Sequence, residues 1–148
     1  MEDKYAIAEA LCKDHEYKKS FSLFQEIALD TNNSNVTRAD AYNMMGILVE
    51  CFDPSLASGD DESGLEHYKA ALELDENNLS ALASVLRSFG EYFPDHQDTA
   101  AFRAAYNRAM LRRDEFTKDE IQSWQEKYQL MQRMAAKGDA TPPRPMEQ

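Results

Sequence analysis

Two stretches of the chain, 44 residues apart, carry the same order of residue types. Residues 24–33 read FQEIALDTNN and residues 68–78 read YKAALELDENN: an aromatic, a small or aliphatic residue three positions on, then Leu-Asp and a pair of Asn. A third copy, Tyr106-Asn107-Arg108-Ala109-Met110, follows 38 residues later with the aromatic and the small residue but without the Leu-Asp exit. Self-similarity at this period restricts a chain to stacked units, because one short supersecondary unit cannot bury its apolar face alone.

The apolar spacing makes each unit a pair of helices. Tyr5, Ile7, Ala8, Leu11 and Cys12 share one helical face, and Phe21, Phe24, Ile27 and Ala28 share another, with a polar break at Lys13-Asp14-His15-Glu16. Thr37, with Asp40 three residues on, is expected to cap the next helix, whose apolar face runs through Tyr42, Met45, Leu48, Val49 and Phe52. Its partner carries Leu65, Tyr68, Ala71 and Leu72 after a breaker-rich loop at 53–63. Leu82, Val85, Leu86 and Phe89 form the first arm of a third pair, and Phe102, Ala105, Tyr106 and Ala109 the second, across a loop at 94–98. Thr117 and Glu120 spell a capping box that opens a last helix through Ile121, Trp124, Tyr128, Met131 and Ala135. The expected organisation is all-α: one domain over 1–137, then a disordered, Pro-rich tail over 138–148.

Unit by unit, these residues resemble the tetratricopeptide-repeat (TPR) family, whose helix pair of about 34 residues has an aromatic and Leu-Gly on its first helix. Tyr42 with Met45-Gly46 fits that pattern well, Leu82 with Val85-Leu86 partly, and Tyr5 with Ile7-Ala8 loosely. On the second helices Ser20 and Phe24, Gly64 and Tyr68, and Phe102 and Tyr106 stand at matching places. Glu76 replaces the family's proline, and the excess spacing falls in the loops at 53–63 and 93–98. The resemblance implies a right-handed superhelical stack of three antiparallel hairpins, at about 1–34, 37–78 and 79–112, closed by a capping helix at about 117–137. It also implies a concave surface lined by first helices. Matching positions place Glu2, Tyr5, Glu9 and Cys12 there from the first unit, Asp40, Asn43, Ile47 and Glu50 from the second, and Ala83, Arg87 and Glu91 from the third. Family members that clamp a chaperone's terminal carboxylate use Lys, Arg and Asn at such places, and only Asn43 and Arg87 echo this.

Charge gives that surface a sign. The chain carries a formal net charge of -11, and residues 35–98 hold 13 acids against 3 bases, whereas residues 99–148 hold 7 against 9. Such a balance disfavours direct binding of nucleic acid or anionic membrane and favours a basic or amphipathic protein partner. Asp60, Asp61 and Glu62 in the 53–63 loop are further contact candidates. Phosphate-cradle, nucleophile-elbow and zinc-protease strings are absent, and His15, His67 and His96 lack ligand spacing, so neither catalysis nor a metal or other cofactor is expected. Cys12 and Cys51 read as buried or half-buried apolar residues rather than a disulfide framework. The acidic N-terminus and the lack of an 18-residue apolar run point to a cytoplasmic protein. The expected role is a scaffold or adaptor, such as an immunity or chaperone-like protein for a toxin or effector. Two alternatives are a homodimer built on exposed Phe116, Trp124 and Tyr128, and an acidic nucleic-acid mimic.

Overall fold

The computed structural model describes residues 3–57, 64–89 and 99–138. Within them lie seven α-helices and no strand: α1 (Lys4–Lys13), α2 (Tyr17–Leu29), α3 (Asn35–Ile47), α4 (Leu65–Leu74), α5 (Leu79–Ser88), α6 (Thr99–Leu111) and α7 (Lys118–Gly138). Each helix packs on its successor, and α3 also packs on α5. The candidates Glu2, Asp60, Asp61, Glu62 and Glu91, together with His96 and the tail at 139–148, fall outside the described residues.

Helix ends follow from local chemistry. The Asp3 carboxylate accepts the N–H groups of Tyr5 and Ala6, satisfying donors that the first turn leaves unpaired. The break between α1 and α2 turns on His15, a non-glycine residue at φ 63°, and lets Glu16 N–H reach the Leu11 carbonyl at 2.8 Å. Helix α3 is capped by Ser34, whose hydroxyl accepts Thr37 N–H at 3.1 Å, and not by Thr37 itself. The start lies three residues nearer the N-terminus, where the C-terminal end of α2 ties down the connecting chain. Asn33 Nδ2 donates to the Ile27 carbonyl and Arg38 Nε to the Ala28 carbonyl, fixing the chain on both sides of Thr37. The capping box at Thr117 forms as read, each residue's side chain accepting the other's N–H at 3.1 and 2.9 Å.

After Ile47, α3 widens into a π-helical turn over Leu48–Phe52, closed by Asp53 N–H on the Leu48 carbonyl at 2.8 Å. The turn sends Leu48, Val49 and Glu50 inward, while Cys51 and Phe52 face solvent. Two expectations change with it: Phe52 leaves the apolar face, and Cys51 is an exposed thiol.

The core runs through the stack as linked clusters. Phe24 packs with Ala8, Ile27, Ala41, Met45 and Leu48 at one end, and Tyr68 with Leu82, Leu86, Phe102, Ile121 and Trp124 at the other. Phe24 and Tyr68, the aromatics of the first two repeat copies, are fully buried, as is Phe102, a contribution on the order of 2 kcal/mol apiece from apolar area, while Tyr106 of the third copy is half-buried. Between the clusters α3 and α4 cross with backbones nearly touching. A Cβ at Gly46 would land on the Tyr68 ring, and one at Gly64 on the Gly46 backbone. Only glycine permits that approach.

Candidate protein-binding face

The first helices of the three pairs, α1, α3 and α5, carry the sequence-predicted groove residues, and the structure divides these into two groups. Exposed or half-buried are Tyr5, Glu9 and Cys12 on α1, Ile47 on α3, and Ala83 and Arg87 on α5. Tyr5 sets its ring edge-on to Phe24 at 5.2 Å, which holds the phenol against the stack. Burial, then the negative charges of Asp40 and Glu9, push that phenol up to about 12. Tyr5, Glu9 and Asp40 thus share one negative field, although they sit on two helices.

The second group is consumed by the fold. Asp40, Asn43 and Glu50 stand on the side of α3 that meets α5 and form a ladder of side-chain hydrogen bonds across the seam. Asp40 accepts from Asn78 Nδ2 at 2.7 Å, and Asn43 from Ser84 Oγ at 2.8 Å. Asn78 is also the cap of α5, its Oδ1 accepting Ala81 N–H at 2.9 Å. Buried polar groups cost little only when paired, and each rung pairs two of them. Asn43 and Ser84 are buried rather than groove-facing, and so is Glu50.

Glu50 has a side chain with no exposure at all. Its Oε1 accepts Gly64 N–H at 2.9 Å and Ser88 Oγ at 3.0 Å, and its Oε2 faces Arg87 Nη2 at 3.5 Å. One carboxylate therefore ties the π-helical turn to the start of α4 and the end of α5. Arg87 Nη2 also donates to the Tyr68 hydroxyl at 3.2 Å, while Arg87 Nε–H finds no acceptor among the described residues. Burial first, and the Glu50 carboxylate second, push the Tyr68 phenol up, so it stays a neutral hydroxyl beside the guanidinium. Sequence reasoning missed Ser84, Ser88 and Asn78. The available signal was the polar set at 40, 43 and 50 on α3, matched by small polar residues on α5.

Beyond Arg87, α7 lies against α5. Lys127 Nζ donates to the Leu86 and Arg87 carbonyls at 2.9 and 3.0 Å, where α5 ends and unpaired carbonyls favour a cation. An open cleft of about 330 Å³ lies between the two helices, lined by Ala83, Arg87, Asp119, Ser123, Trp124 and others. The aromatics expected to form a dimer seam are used inside the molecule instead. Trp124 is buried with Phe116 edge-on to it at 5.0 Å, and Tyr128 stacks on Tyr106 at 4.2 Å. Packing α7 as the closing layer requires its apolar face to point inward.

Among the described residues no three His, Cys, Asp or Glu side chains gather in a way that could hold a metal ion, and no helix is long and apolar enough to cross a membrane. Comparison with protein-family models, with curated proteins and with solved structures gave no match to this chain.

Proposed function

We propose that the chain is a TPR-like scaffold that holds a basic or amphipathic segment of a protein partner on the face made by its first helices. The observation that carries this reading is that exposed Glu9 and half-buried Tyr5 and Asp40, from two first helices, set two carboxylates close to one ring. Support for the repeat comes from the pairwise packing order, the added contact between α3 and α5, and the glycine crossing of α3 on α4. A face built from several helices offers a rigid surface, and a cationic side chain would find charge there together with the Tyr5 ring. Ile47 and Arg87 continue the face toward α7.

Site-specific photo-crosslinking tests the reading. Crosslinkers at Glu9 and Ile47 should capture a partner through Lys- or Arg-containing peptides, with yield falling as salt rises, whereas one at exposed Lys18 on α2 should not. Asp40→Asn, which keeps an acceptor for Asn78, combined with Glu9→Gln should reduce that capture. Equal capture from Lys18, or capture indifferent to the two charges, would overturn the assignment.

A further inference from the structure

On the other side of the stack, α4, α5 and α6 enclose a cleft of about 290 Å³ with a largely apolar floor of Leu72, Leu82, Val85 and Ala105. Its walls are α4 and α6. Ala101, Ala104 and Arg108 line it from α6, and the same helical stripe runs on to Arg112 at i, i+3, i+7 and i+11 spacing from Ala101. Leu111, 82% exposed, extends the apolar edge beyond the floor. The opposite wall carries Lys69, Glu73 and Glu76 from α4, with Glu66 next to Lys69.

These walls differ in sign. Residues 99–113 contain four arginines and no carboxylate, in a chain whose net charge is -11, whereas 65–76 contains four carboxylates, Glu66, Glu73, Asp75 and Glu76, against one lysine. Across the cleft Arg108 meets Glu76 at 3.1 Å, both side chains more than a third exposed. An exposed pair of this kind stabilises little and yields to a partner that offers each member a replacement.

We propose that this cleft is a second docking surface, taking a partner helix with an apolar ridge, an acidic flank laid over α6 and a basic flank laid over α4. Ala101 and Ala104 let the partner's backbone come close, and its apolar residues at i, i+4 and i+7 fill the floor and cover Leu111. The acidic flank meets Arg108 and Arg112, and the basic flank meets Glu73 and Glu76. The two-signed rim fixes direction, because a reversed helix sets like charges against each other on both walls.

A pair of synthetic helical peptides tests this on the full chain. One has a Leu ridge with Glu on one flank and Lys on the other in the matching sense; the second exchanges Glu and Lys. Fluorescence anisotropy should show the matched peptide binding at least about tenfold more tightly. Amide shifts should move at Ala101, Ala104 and Leu111, and Ala104→Asp, at an exposed position, should abolish binding without lowering the melting temperature. Equal affinities, no binding by either peptide, or shifts confined to α1 and α3 would each overturn the proposal. So would a concentration-dependent dimer in sedimentation that Ala104→Asp dissolves, which would give the cleft to a second copy of the chain.

Discussion

The seam between α3 and α5 and the seam between α6 and α7 solve the same packing problem with opposite chemistry. The first is a polar ladder, Asp40–Asn78, Asn43–Ser84 and Glu50 with Ser88 and Arg87. The second is a pile of rings: Tyr106 on Tyr128 at 4.2 Å with only 8° between their planes, and Phe102 stacked toward the same Tyr128 at 6.5 Å. Aromatic stacking tolerates sliding, since any overlap of faces retains most of the burial. Hydrogen bonds between buried side chains do not, because a shift of one residue leaves donors and acceptors stranded. The inner seam therefore sets the register of the stack, and the outer seam closes its end.

The most damaging test of this division falls at the crossing that supports the ladder. Gly64 lends its N–H to Glu50, and a Cβ there would meet the O, C and Cα of Gly46, backbone atoms with nowhere to go. Gly64→Ala should force α3 and α4 apart and cost about 3 kcal/mol by urea denaturation. Because the Glu50 bond is lost with the separation, hydrogen exchange should rise in α5 as well as in α3 and α4. Exchange changes confined to α4 would show that the ladder does not transmit register.

Glu50→Ala comes next. Removing the carboxylate leaves Ser88 and Gly64 without their acceptor and Arg87 with only the Tyr68 hydroxyl, and Arg87 already has one unmatched N–H. The expected loss is about 2 kcal/mol, below the usual figure for a broken buried pair because the Arg87 side chain is 38% exposed and water can rescue it. Glu50→Gln, which keeps one acceptor, should recover about half of that by the same measurement.

These two seams also mark what a sequence exposes and what it hides. Helix positions, the hairpin order and the Thr117 capping box follow from patterns within a few residues, and the apolar spacing around Phe24, Tyr68 and Phe102 correctly places the core aromatics. Matching positions in the repeat pattern place Glu50 in the groove, and the structure buries it. Its burial depends on a π-helical turn and on Gly64 and Ser88, partners 14 and 38 residues away. Trp124 and Tyr128 fail in the opposite direction: their spacing shows an apolar face, yet only the presence of Phe102 and Tyr106 decides that the face points inward. Glu9, by contrast, is exposed on α1.

A pair of double-mutant cycles separates the two chemistries at smaller scale. For Tyr106 and Tyr128 mutated to Leu, the two single losses should sum to about 1 kcal/mol more than the double, each single staying well short of the double. For Asn43 and Ser84 the pattern should invert. Ser84→Ala alone strands the buried Asn43 Oδ1 and should cost about 1.5 kcal/mol, nearly as much as changing both residues. Additive losses at the polar pair would mean that the hydrogen bond contributes no specificity beyond packing.

The smallest expected effect lies outside both seams, where α4 meets α2. His67 is half-buried with its ring edge-on to Phe21 at 5.9 Å, and burial holds its imidazole below the usual value against the opposing pull of Glu66. Its folded-state pKa is therefore lower than its unfolded one, so as pH falls below about 6.5 the unfolded chain takes up the proton first. Stability from this contact is fully present above that pH and is lost as pH falls toward the lowered folded value, below which the loss levels off. His67→Phe keeps the ring contact and removes the titration, so its urea midpoint should fall less than that of the parent between pH 7.5 and pH 5. The hydrogen-bonded ladder contains no histidine and should contribute nothing to that difference. Identical slopes for parent and variant would mean that the α2–α4 contact opens far enough to hydrate His67, leaving the packing of α2 on α3 to hold the second hairpin against the first.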